Sequence, residues 1–91
     1  MRYMKFTEHA RMRMREYDIP EKEVYKCITS PDELYLDILT GRVVAVKKIS
    51  KEKYLITVYE GNDEITIVTL FPTSKVNKIE KRVKSGRWLE L

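Results

Sequence analysis

The apolar positions of this chain follow two periods. From Thr7 onward Ala10, Met14 and Tyr17 recur at steps of four and three, which places them on one stripe of a helix running to about Tyr17 and leaves Arg11 and Arg15 on the opposite side. Thr7 is suited to cap that helix, because its hydroxyl can accept from an orphan amide of the first turn. Asp18-Ile19-Pro20 interrupts the stripe, and a second helix starts at the proline with Val24, Cys27 and Ile28 inward. Tyr3, Met4 and Phe6, ahead of the first helix, read as a short strand.

Beyond Ser30-Pro31-Asp32 the period becomes two. Leu34 to Leu39, Arg42 to Ile49, Tyr54 to Glu60 and Ile65 to Phe71 are rich in β-branched and aromatic residues, and short turn-like segments separate them. Four consecutive strands in an antiparallel meander follow. In the third, Tyr54, Ile56 and Val58 oppose Leu55, Thr57 and Tyr59; in the fourth, Ile65, Ile67, Thr69 and Phe71 oppose Thr66, Val68 and Leu70. Both sets are apolar, so the pattern alone does not say which face meets the helices. After Pro72, Thr73 or Ser74 caps a last helix to about Lys84 with Val76, Ile79 and Val83 inward, and Gly86 stops it. Trp88, Leu89 and Leu91 form an apolar tail for the sheet or for a partner. The expectation is one α+β domain over residues 1–91: short first strand, helical hairpin, four-stranded antiparallel meander and C-terminal helix.

Composition agrees with a folded domain: 91 residues, 43% hydrophobic and 35% charged, with three glycines and three prolines. The N terminus lacks a long apolar segment, and the expected address is the cytoplasm, away from membranes. Cys27 is the one cysteine and reads as a buried thiol. With one histidine and one cysteine, neither a structural metal nor a cofactor is expected.

The net charge of +4 hides an alternation. Residues 1–15 carry five basic and one acidic side chain, residues 16–38 two and seven, residues 39–59 five and one, residues 60–74 none and three, and residues 75–91 six and two. If the first and last helices share a side of the molecule, Arg11, Lys48, Lys75, Lys78 and Lys81 contribute to a basic surface that binds RNA through its phosphates. His9, the sole imidazole, lies one helical turn before Arg13. A neutral imidazole beside a fixed guanidinium can accept the proton of a ribose 2′-hydroxyl while the cation holds the phosphate. His9 and Arg13, joined by Lys47, Tyr59 and Arg82, are the candidate catalytic set for metal-independent RNA cleavage.

The segment Phe6-Thr7-Glu8-His9-Ala10-Arg11-Met12-Arg13-Met14 resembles a small prokaryotic family of uncharacterised domains that open with a Ser/Thr-x-His-Ala-x-x-Arg-Met helix. In that family a Gly-Ile-Ser turn leads to a second helix and a meander closes on a Thr-x-Tyr/Phe-Pro segment. Here the counterparts are Asp18-Ile19-Pro20 and Thr69-Leu70-Phe71-Pro72. More distantly, the order of elements is similar to RelE/ParE and BrnT toxins. That resemblance implies a small basic protein that cleaves messenger RNA, often on the ribosome, and that an antitoxin segment silences. The competing expectation is a non-catalytic module that binds nucleic acid or protein, or a homodimer joined through its C-terminal tail.

Overall fold

The computed structural model describes residues 3–91; Arg2, counted in the first basic block, lies outside them. The elements are β1 (Tyr3–Phe6), α1 (Glu8–Tyr17), α2 (Glu21–Thr29), β2 (Glu33–Asp37), β3 (Val43–Ser50), β4 (Lys53–Glu60), β5 (Glu64–Thr73), α3 (Val76–Lys84) and β6 (Trp88–Glu90). They build an α+β fold around one mixed sheet of order β1-β5-β4-β3-β2-β6. The expected meander is present, since β2, β3, β4 and β5 pair antiparallel in sequence order. Two strands extend it. β1 runs parallel to β5, and the C-terminal tail, expected to pack on the sheet or on a partner, adds to the free edge of β2 as a strand with Trp88 opposite Asp37. Among the described residues no helix is long and apolar enough to cross a membrane.

Thr7 caps α1 as its sequence position suggests, and it does more. Its hydroxyl accepts from the amide of Ala10 at 3.0 Å and donates to the carbonyl of Val68 at 2.8 Å, while its own amide donates to Ile67 at 3.1 Å. The register of β4 on β5 slips at this place, with Val58 opposite Thr69 but Tyr59 opposite Ile67. Val68 is the extra residue of a β-bulge, which reverses the alternation beyond it. Leu70 therefore joins Ile65 and Ile67 on the side of α1 and α2, and Phe71 faces the other way. The strict alternation expected along this strand is corrected accordingly.

Each face of the sheet carries its own core. On one, Ala10 and Met14 of α1, Ile19, and Val24, Cys27 and Ile28 of α2 pack on Ala45, Leu55, Tyr59, Ile65, Ile67 and Leu70. Tyr17, expected in the stripe, is exposed, and Ile19 beyond the helix end takes the buried place. The Cys27 thiol donates to the carbonyls of Ala45 and Leu55. Burial pushes it up to about 11, with only partial relief from the Thr57 hydroxyl and Lys47, which suits an inert core thiol. On the other face α3 rests on Val44, Val46 and Ile56 through Ile79, next to Tyr35 and Trp88, whose rings stack at 5.7 Å. Val76 and Val83, expected inward, are exposed. The helix begins at Lys75 without a side-chain cap, because Thr73 spends its hydroxyl on the Lys75 amide one residue too early.

α1 ends at Asp18, whose φ of 55° lies in the left-handed region. Its side chain adds a negative charge where the helix dipole is already negative. Asp18→Gly is expected to stabilise the fold by about 0.5–1 kcal/mol, as relief of the Cβ strain outweighs the added freedom of the unfolded chain. Thermal unfolding followed by circular dichroism should show a midpoint higher by a few degrees; an unchanged or lower one would show that Asp18 carries no strain.

Candidate nucleic-acid interface

The two cores decide which basic residues can act together. α1 and α3 lie on opposite faces of the sheet, so the common surface expected of the first and last helices does not exist. His9 and Arg13 are side by side on α1, one helical turn apart, while Lys78, Lys81 and Arg82 stand across the sheet from them. The expected catalytic set is thereby divided.

Two of the three arginines of α1, the pair nearest His9 in the sequence, are also occupied. Arg11 pairs with Glu21 at 3.4 Å and lies over the Phe6 ring. Arg13 pairs with Glu16 at 3.6 Å and reaches the Tyr17 hydroxyl and ring. His9 is exposed. Tyr59, proposed for catalysis, is 5% exposed and belongs to the core beneath the helices, because the alternation of β4 turns it inward with Leu55 and Thr57. It is withdrawn from the site. Lys47 faces α2 and pairs with Asp32 at 3.9 Å, and Lys48 lies beside it in a shallow depression with Asp32 and Tyr54. Both sit at the far end of β3 from Arg42. Lys75 stands at the start of α3, outside the cleft described next.

That cleft, about 640 Å³, opens between α3 and the sheet, within the size range of ligand sites. Ile56, Val58 and Phe71 form its floor, with Ile79 and Trp88 at its walls. Arg42, Lys78, Lys81, Arg82 and Arg87 surround it. Lys78, Lys81 and Arg82 form no ion pair among the described residues, in contrast to Arg11 and Arg13 of α1. The other flank of α3 has a smaller depression of about 290 Å³ bordered by Glu33 and Glu80, a poor place for a polyanion. Tyr35 donates its hydroxyl to Glu33 there. The helix is thus positive toward one flank and mixed toward the other.

Asp37 organises the cleft end. It closes β2: its carbonyl accepts from Gly41 at 2.7 Å, its amide donates to the Arg42 carbonyl at 2.8 Å, and its carboxylate accepts from the amides of Leu39 and Thr40. This is the turn that aspartate forms when its side chain replaces a backbone acceptor. The same carboxylate accepts from Arg87 Nε at 3.1 Å, which ties the start of β6 to the turn and aims Arg87 along the cleft wall. Burial alone would raise the Asp37 carboxyl, but the hydrogen bonds from Arg87, Leu39 and Thr40 and the charge of Arg87 outweigh it and hold the group below the usual carboxylate range.

Sequence reasoning named Lys78, Lys81 and Arg82, though on a surface shared with α1, and did not name Asp37, Arg42, Phe71, Arg87 or Trp88 as site residues. An aspartate three residues before Thr40-Gly41 was the available signal for the turn. Nothing in the spacing connects Asp37 with Arg87, which are fifty positions apart.

Residues 6–79 match the model of a family described as Domain of unknown function (DUF4258). No curated protein and no solved structure matches the chain. The matched span holds Asp37, Arg42, Phe71 and Lys78; Lys81, Arg82, Arg87 and Trp88 lie beyond its end.

Proposed function

The chain thus belongs to the DUF4258 family of unknown function, and on that footing we propose that it is an RNA-directed, toxin-like protein that takes a phosphodiester backbone into the cleft beneath α3. The observation that carries this reading is the set of cations without an ion pair among the described residues, Lys78, Lys81 and Arg82, standing with Arg42 and Arg87, paired to Glu60 and Asp37, around one apolar-floored cleft. Phosphates are neutralised best by cations that have no acid of their own to leave, and an apolar floor favours unstacked bases over solvent. The order of elements, a short strand, two helices, an antiparallel meander and a terminal helix, is the ground for the likeness to RelE/ParE and BrnT toxins. Silencing by an antitoxin segment, action on the ribosome and self-association belong to the same proposal; Ile38, Leu39, Leu89 and Leu91 are exposed at the β2 and β6 end for a protein partner.

Cleavage is the more specific form of the reading. A cluster of guanidinium and ammonium groups can stabilise the charge that develops on a phosphorane without a metal. His9 would not serve that cleft, since it lies across the sheet. The alternative, a module that binds without cleaving, uses the same cations.

One experiment addresses both. Titration of labelled single-stranded RNA at several salt concentrations should give a slope of log affinity against log salt of roughly −3.5, the value for about five phosphate contacts. Incubation of total RNA with the protein in EDTA then separates the two forms: products on a gel support the nuclease, bound but intact RNA the module. Absence of salt-dependent binding would end the RNA reading.

A further inference from the structure

Three hydrogen bonds reach the Asp37 carboxylate, and all three fall on Oδ1. Oδ2 accepts none from the described residues, although the side chain is only 10% exposed. It is not among the sealed atoms that lack a partner, so it keeps a path to solvent, and Asp37 lines the cleft. An ionised oxygen held rigidly in this place repels a phosphate that comes close. Its own chemistry is to accept from an N–H or O–H donor. In a single RNA strand the well-placed donors are the amino and imino groups on the edges of unstacked bases.

Building on the RNA reading above, we propose that Asp37 is the specificity residue of the cleft: Oδ2 accepts from the Watson–Crick edge of an unstacked guanine while the cations of α3 hold the neighbouring phosphates. Guanine is the base that brings two adjacent donors, N1–H and N2–H, to a single anionic acceptor. Uracil offers one N–H between two carbonyl oxygens, both of which the carboxylate repels. Adenine and cytosine offer one amino group beside a ring nitrogen that is itself an acceptor. Trp88 lies directly opposite Asp37 across the β2–β6 pair and supplies apolar surface next to the reading atom. Arg87 and the two turn amides keep Oδ1 engaged, which fixes the carboxylate plane and leaves Oδ2 as the acceptor the base meets. The charge of Arg87 also keeps the group ionised at neutral pH, so that it accepts and does not donate.

The test uses short oligouridines that carry guanosine, inosine, adenosine or uridine at the central position, with binding to the full chain measured by fluorescence anisotropy. The guanosine oligomer should bind about tenfold more tightly than all-uridine, with inosine, which lacks the N2 amino group, between them. Asp37→Asn keeps an oxygen for the three N–H donors but places an amide donor where Oδ2 was, and should erase the guanosine preference. Guanosine and inosine bound equally by the wild-type protein, or a preference that survives Asp37→Asn, would overturn the assignment. The inosine comparison is made on the RNA and decides the matter even if the variant does not fold. Failure of every oligomer to bind would instead overturn the RNA reading itself, and uniform binding of all four would overturn the guanine assignment alone.

Discussion

Replacing Lys78, Lys81 and Arg82 together by alanine is expected to weaken RNA binding on the order of 50-fold at physiological salt and to flatten the salt slope by about 2, the effect of three lost phosphate contacts on a single strand. The fold should survive, because these side chains project from a helix held to the sheet by Ile79 and none of them forms an ion pair among the described residues. The matched control is Arg11→Ala with Arg13→Ala. These arginines pair with Glu21 and Glu16 on the other face, so their loss should leave affinity nearly unchanged and cost at most about 1 kcal/mol of stability for each exposed pair. Anisotropy titrations of the two variants against one RNA compare the faces directly. If the α1 variant lost as much affinity as the α3 variant, the interface would lie with His9 and Arg13, and the cleft would lose its role.

Much of the architecture was legible because local signals and tertiary demands agreed. Thr7 before an Ala10–Met14 stripe, Pro20 before a Val24–Cys27–Ile28 stripe, and four β-rich segments around short turns each specify an element on their own. What was not legible depended on partners remote in sequence. Ile56 and Leu55 are both buried, since the two faces of the sheet are both covered, and an apolar residue at every position carries no sign of which helix covers it. The side of α3 was therefore open, and with it the question of which cations share a surface. The bulge at Val68 is stabilised by Thr7, sixty-one residues away, so alternation within β5 could not reveal it. β6 is three residues long and exists as a strand because β2 offers a free edge. The candidate site was legible only in its α3 cations, the part that lies on one element. Asp37 and Arg87 become neighbours when β6 adds to β2, and an isolated aspartate and an isolated arginine carry no mark of that meeting.

Gly61→Ala is expected to be strongly destabilising. Gly61 joins β4 to β5 with φ of 99°, and a Cβ built there would stand 2.1 Å from the carbonyl oxygen of Glu64 and 3.2 Å from its carbon. Neither obstacle can move cheaply, because both are backbone and the residues just beyond are fixed by pairing. Tyr3 lies opposite Glu64 and Met4 opposite Ile65 across the parallel β1–β5 pair, so opening the turn would disturb a second strand. The left-handed backbone and the clash together should cost about 3 kcal/mol or more, a large part of the roughly 5–14 kcal/mol that holds a domain of this size. The midpoint of thermal unfolding should fall by about 12 °C or more. Gly41→Ala separates the two causes, for Gly41 also has positive φ, 74°, but nothing within 4 Å of its added Cβ. It should lose only about 1 kcal/mol, the cost of the backbone conformation alone. Equal losses at the two glycines would show that the approach of the Glu64 carbonyl is relieved by movement of the turn, and that the β4–β5 connection is softer than its contacts imply.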